Sequence, residues 1–271
     1  MKKLSIIICA VLCAVLFGVG TNAYEAIDVR LNGVDTEIGA LLIGSTTYVP
    51  FDAANDALSL GSVQISTYAD TMRAVTPFAT ISAKAGDCYI EAEGRYLGGK
   101  NVLNISGMLY VPIRSLAKAY NADVEWRADT RSVDLYAAEL SGITSGDEFY
   151  SSDEVYWLSR IISAEASGES MEGKILVGNV VLNRVASNEF PNTIYGVIFD
   201  REWGVQFTPI ANGTIYNEPT ADSIIAAKLC LDSYYISRSA MYFLNPAYAT
   251  NFWVPANRPY LMTVGCHDFY S

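Results

Sequence analysis

The sequence predicts an α+β protein in two parts: an N-terminal α+β module with an internal repeat, followed by a second α+β domain led by helices. Three observations carry this. Tyr48-Val49-Pro50-Phe51 recurs 62 residues later as Tyr110-Val111-Pro112-Ile113. The stretch Ser141-Gly142-Ile143-Thr144-Ser145-Gly146-Asp147 has the small, polar composition of a connection. Beyond it, short alternating runs give way to helical periodicity that starts on a capping pattern.

The chain has 271 residues, 51% hydrophobic and 17% charged, enough for one large or two small packed domains and unlike a disordered segment. It opens with Met1-Lys2-Lys3, an apolar run from Leu4 to Val19, and the small residues of Gly20-Thr21-Asn22-Ala23. A basic start, an apolar centre and a small-residue exit predict a secretory signal peptide over 1–23. An uncleaved membrane anchor is the alternative, since the run is near the lower limit of about 17–25 residues for a span. After cleavage no transmembrane segment is expected. Losing Lys2 and Lys3 from 18 basic residues leaves 16 against 29 acidic ones, a net charge of −13. Phosphate backbones are repelled by such a surface, so nucleic acid is excluded as a partner. Of five cysteines, Cys9 and Cys13 leave with the signal. Cys88, Cys230 and Cys266 are odd in number and scattered, which does not describe a disulfide framework.

The first module spans 25–137. Each copy of the Tyr-Val-Pro segment follows a strand-like stretch with a Gly turn, Val29 to Gly33 in one and Ile90 to Gly94 in the other. Each precedes a short helix, Phe51–Leu58 and Ile113–Tyr120. Proline ends ladder pairing and suits a helix start, which explains the junction. Val124-Glu125-Trp126, a turn at Asp129-Thr130 and Ser132 to Tyr136 close the module as half-buried strands. The doubled segments and the closing Trp126, Asp129, Val133 pattern resemble the copper amine oxidase N-terminal-like domain. That resemblance implies a non-catalytic stalk or attachment module. Despite its name it is not a copper site, and no His precedes His267 here.

A linker is expected over 138–152, and the second domain over 153–271. Ser151 with Glu154 three residues on fits a capping box, opening a helix that runs to about Ala166. With Leu158 at zero and about 100° per residue, Ile162 falls near +40°, Ile161 near −60° and Glu165 near −20°. Glu165 thus shares the apolar face at the last turn. Burial raises a carboxyl pKa, and the helix C-terminus pushes the same way. A Glu so placed holds its proton near neutral pH and gives it to a leaving oxygen. The competing reading is a salt bridge from Glu165 to Arg184 or another cation, and position alone does not separate the two.

A second helix, Met171 to Ala186, is apolar nearly all round and therefore buried. A third runs from Thr220 to Tyr235, capped by Thr220. Aromatic, polar loops follow: Trp203 to Thr208, Tyr242 to Pro246 and Phe252 to Val254. Aromatics stack on sugar faces and amides bind hydroxyls, as ligand clefts require. Plain core packing is the other account of the same rings.

Ser163-Ala164-Glu165-Ala166-x-Gly168-Glu169-x-x-Glu172-Gly173 resembles the opening motif of the SleB/CwlJ cell-wall hydrolase family. So do Val181-Leu182-Asn183-Arg184-Val185, Gln206-Phe207, Asn212-Gly213, Tyr242-Phe243-x-Asn245-Pro246 and Gly265-x-His267-x-Phe269-Tyr270. These motifs stand in one order over roughly 153–271. The resemblance implies a lysozyme-like α+β catalytic domain acting on peptidoglycan, often that of spore cortex in germination, by lytic transglycosylation. It implies Glu165 as the catalytic residue, and Arg184, Gln206, Phe207, Tyr242, Asn245 and His267 are the substrate-binding candidates; no metal and no cofactor are expected. Secreted or wall-associated placement is expected, spore included, and an accessory sporulation protein is a candidate partner. The chain departs from the pattern in Ser167, where many members are basic, in Cys266 before the His, and in its N-terminal module.

The rivals are three. A two-carboxylate muramidase needs a partner for Glu165 among Glu169, Glu172, Asp200 and Glu202, at about 5 Å for retention or 6.5–9.5 Å for inversion. A Cys-His peptidase would pair His267 with Cys230 or Cys266, and one His without HExxH disfavours a zinc peptidase. The third is a catalytically silent wall-binding or sporulation protein.

Overall fold

A computed structural model of the chain describes residues 24–137, 139–202, 204 and 206–271. The expected signal peptide over 1–23, and Trp203 and Val205 of the first aromatic loop, lie outside the described residues.

The first unit runs β1 (Glu25–Leu31), β2 (Val34–Asp35), β3 (Ala40–Ile43), β4 (Thr46–Pro50), α1 (Phe51–Leu58), then a five-strand meander of β5 (Gln64–Tyr68), β6 (Thr71–Val75), β7 (Thr80–Lys84), β8 (Tyr89–Ala92) and β9 (Arg95–Gly98). β10 (Leu103–Ile105), β11 (Met108–Pro112), α2 (Ile113–Ala119), β12 (Asp123–Arg127) and β13 (Ser132–Tyr136) complete it. The larger sheet has the order β10-β11-β4-β3-β1-β13-β12, with β2 beside β1; only β1 and β13 pair in parallel. The sequence repeat becomes a local two-fold. β4 and β11 pair antiparallel with Val49 opposite Val111, Tyr48 opposite Pro112 and Pro50 opposite Tyr110. Pro50 and Pro112, at φ −58° and −59°, then cap α1 and α2. The two helices are tied where the copies meet, since Tyr120 donates to the buried Asn55 side chain at 2.7 Å.

Within the expected linker, residues 139–152 do not hang free. Asn121 donates to the Gly142 carbonyl at 2.9 Å, the Gly146 amide donates to the Glu93 carbonyl at 2.7 Å, and Ile143 is buried. A short helix, α3 (Gly146–Phe149), lies within it.

The second unit contains α4 (Ser152–Ala166), α5 (Met171–Ala186), α6 (Ile194–Phe199), α7 (Thr208–Asn212), α8 (Ala221–Leu231), β14 (Tyr242–Leu244), α9 (Trp253–Asn257), β15 (Tyr260–Val264) and β16 (His267–Tyr270). The three strands form one antiparallel sheet in the order β14-β16-β15. Its separate core gathers Leu158, Ile162, Val177, Val181, Ala226 and Phe269. α5 passes very close to α4 and α8 at Gly178, where a Cβ would stand 2.6 Å from the Cys230 sulfur and 2.9 Å from the Ile162 terminal methyl.

The third helix is shorter than its sequence predicts. Thr220 caps it as expected, but it ends at Leu231, not Tyr235. Asp232 is drawn away by a bidentate pair with Arg95 of β9, at 2.8 and 2.9 Å, and accepts from Tyr150 at 3.2 Å. Ser233 follows at φ +65°, which breaks the helix. The contact that stops α8 also joins the units. Beside it the Tyr234 hydroxyl donates to the Gly99 carbonyl at 2.8 Å.

Candidate active site

α4 begins as its sequence requires. The Ser151 oxygen accepts from the Glu154 amide, and Leu158, Ile161 and Ile162 face the core. The helix packs on α5, α8 and α6, so the face that carries Glu165 is covered over most of its length. Glu165 is half-buried near the end of that face. Burial pushes its carboxyl up to about 7. Among the described residues nothing forms an ion pair with it, so the alternative bridge to Arg184 is not made.

The reason lies in the helix pair. Only 167–170 separate α4 from α5, and the two pack together, so the chain doubles back. Glu165 therefore stands at the N-terminal end of α5 and Arg184 at its C-terminal end, roughly 20 Å away at about 1.5 Å per residue. Arg184 is buried there. Its Nε donates to the Met241 carbonyl at 2.8 Å, and its guanidinium carbon lies 5.0, 5.3 and 5.2 Å from the ring centres of Phe190, Phe207 and Tyr242. Its Nη1 is buried with no hydrogen-bond partner among the described residues. Burial lowers its pKa to about 10, still far above neutrality.

At the Glu165 end, the turn between β15 and β16 is held by one carboxylate. Glu169 follows α4 directly, and both its oxygens accept from the Cys266 amide, at 3.4 and 3.3 Å. Gly265 is required here: its φ is +59°, and a Cβ would lie 1.7 Å from Glu169 Oε2. This places buried His267 with Nδ1 3.8 Å from Glu169 Oε1 and without a hydrogen-bond partner among the described residues. Burial lowers the His267 pKa, against the pull of Glu169, so the ring is neutral at pH 7. His267 meets Phe243 edge-on at 5.3 Å, and Phe243 reaches Phe207 at 6.4 Å. A chain of rings thus joins the His267 end to the Arg184 end.

The predicted site residues therefore fall into two groups. Arg184, Phe207 and Tyr242 meet at one end of α5, and His267 sits by Glu169 at the other, near Glu165. Phe207 is buried, so its ring backs Arg184 and is not open to a ligand. Gln206 donates to the Gly204 carbonyl at 3.2 Å, and the Asn245 side-chain oxygen accepts from the Ala247 amide at 3.0 Å. Both amides shape their own exposed turns. Asn183, from the same motif as Arg184, is structural, donating to the Ser237 and Ala240 carbonyls. Sequence reasoning considered Glu169 only as a second carboxylate and missed its grip on the hairpin. The signal was Gly265 two residues before His267, a glycine that a close approach would explain. The Cys-His pairing is not formed by Cys230, which lies buried on α8 beside Asn179.

Comparison with known proteins follows the same division. Residues 168–270 match the profile of the Cell Wall Hydrolase family, and residues 29–135 match the Copper amine oxidase N-terminal domain. The spore cortex-lytic enzyme of Bacillus subtilis (strain 168) is 33% identical over 142 residues, 52% of this chain and 43% of that protein. The enzyme of the same description from Oceanobacillus iheyensis is 35% identical over 120 residues, 44% of this chain and 42% of its own length. The chain thus spans under half the length of these curated relatives. The solved catalytic domain of the germination-specific lytic transglycosylase SleB from Bacillus anthracis is 32% identical, with 48% of this chain and all of that chain covered, at a TM-score of 0.41.

Proposed function

This chain belongs, through residues 168–270, to the cell wall hydrolase family, and we propose that it is an exported enzyme that cuts the glycan strands of peptidoglycan as a lytic transglycosylase. The observation that carries the reading is the Glu165 carboxyl, desolvated at the end of α4 and raised to about 7. At neutral pH a substantial fraction of it is protonated, which is what a general acid needs.

In this reading Glu165 donates its proton to the glycosidic oxygen as the bond from that oxygen to the muramic C1 breaks. The carboxylate left behind then takes the proton of the C6 hydroxyl while O6 bonds to C1. The ring closes as a 1,6-anhydro sugar, Glu165 ends protonated, and no water is consumed. One carboxylate serves both steps. That is consistent with Glu169, the acid next along the chain, being committed to the Cys266 amide. Tyr242, Gln206, Asn245 and His267 are assigned to substrate binding. Arg184, with Phe207 behind it, is assigned to the same cleft, buried beneath Tyr242. The likeness to spore cortex-lytic enzymes makes cortex peptidoglycan the proposed substrate, with the 1–23 segment directing export.

Mass spectrometry of the fragments released from purified peptidoglycan tests this. The expected products end in 1,6-anhydro-muramic acid. Reducing ends would replace transglycosylation by hydrolysis, and intact glycan would leave a silent wall-binding protein.

A further inference from the structure

A large cleft of the structure is not lined by Glu165. It lies between the two units, encloses about 1150 Å³, and is bordered by the start of α5, just past the turn that follows Glu165. One wall belongs to the first unit and carries Lys100, Arg114, Asp87 and Trp126; the other belongs to the second and carries Glu172 and Tyr235. Lys100 and Arg114 are exposed. Among the described residues neither forms an ion pair, and Arg114 makes one side-chain hydrogen bond, to the Val124 carbonyl at 3.0 Å. Lys100 and Arg114 thus present exposed positive charge along this wall, with Asp87 and Glu172 as the cleft's carboxylates. The walls are also held in place. The Arg95–Asp232 pair and the Tyr234–Gly99 hydrogen bond fix the units against each other beside the cleft. A groove whose walls are set in advance loses little freedom on binding.

We propose that this inter-unit groove binds the peptide stems of peptidoglycan. The proposal rests on reading the chain as a peptidoglycan enzyme. Stem peptides are short and zwitterionic. Their free carboxylates match Lys100 and Arg114, a free side-chain amine matches Asp87 and Glu172, and Trp126 and Tyr235 give apolar surface to the small side chains between. Glu172 lies seven residues beyond Glu165 across the α4–α5 turn, so the groove borders the segment that leads out of the proposed catalytic helix end. The N-terminal module is then half of a substrate site, and the enzyme prefers strands that still carry peptides.

Binding is measured first, independently of cleavage. The full chain carrying Glu165→Gln is titrated calorimetrically with a synthetic tetrapeptide bearing free carboxylates and one side-chain amine. Saturable binding is expected, weakened at least about tenfold by Lys100→Glu with Arg114→Glu and by amidating the peptide's carboxylates. No binding at millimolar peptide, or equal binding by the double variant, overturns the proposal. Cleavage is measured second, with Glu165 intact. The double variant should cut peptide-free glycan strands at the unsubstituted rate and peptide-bearing strands about tenfold more slowly. Equal rates on both also overturn the groove while leaving glycan cleavage standing. If the unsubstituted chain cuts neither substrate, the glycan reading fails and the titration alone decides the groove. Should charge reversal lower the melting temperature, Lys100→Gln with Arg114→Gln takes its place in both arms.

Discussion

Glu165 illustrates how far a single residue can be read. Its place on the apolar face follows from counting along α4, but counting left a salt bridge to Arg184 equally open. Only the doubling back of α5 decides that, because it carries Arg184 roughly 20 Å from Glu165 at about 1.5 Å per residue. A pKa raised by burial has a signed consequence for stability. The folded chain holds the Glu165 proton up to about 7, whereas the unfolded chain releases it near 4.5. Between those values the unfolded state binds fewer protons, so stability falls as pH rises. Glu165→Gln removes that penalty. It should stabilise the protein by up to about 3 kcal/mol at pH 8 and by little at pH 4, measured by denaturant unfolding at each pH. The rate of glycan cleavage should fall about tenfold per pH unit above the same pKa, as the acid form is lost.

At the scale of elements, the sequence carried most of what is local. The Ser151 and Thr220 caps, the all-round apolar α5 and the proline-started α1 and α2 follow from neighbours in the chain. What it did not carry is the end of α8, which depends on Arg95 some 137 residues away, and the β15–β16 turn, which depends on Glu169, 97 residues from Cys266. Hairpin periodicity cannot name the side chain that fills a glycine's missing Cβ. Gly265→Ala should cost about 1–3 kcal/mol through its positive φ, with the Glu169 clash added, and should lower activity by displacing His267. Adding Glu169→Ala should recover the clash but not the φ cost. A thermal-melt cycle of the two single variants and the double separates these terms.

For the whole molecule, the division into two units is legible as a repeat followed by helices, and each unit has its own core. The joint between them is not. Arg95, Asp232 and Tyr150 are ordinary polar residues in sequence, and their mutual burial arises only when β9 meets the end of α8. Breaking that joint leaves a buried charge alone. Asp232→Ala should cost about 3–5 kcal/mol and split the melting profile into two transitions by calorimetry, where the unsubstituted chain gives one.

The central claim returns to one carboxyl group. Purified chain and its Glu165→Gln variant, matched by circular dichroism, are mixed with peptidoglycan at pH 6 and the loss of turbidity is followed. The unsubstituted chain should clear the suspension, and the variant should do so at a rate lower by about 10²–10⁴-fold. Equal clearing by the folded variant would contradict the claim.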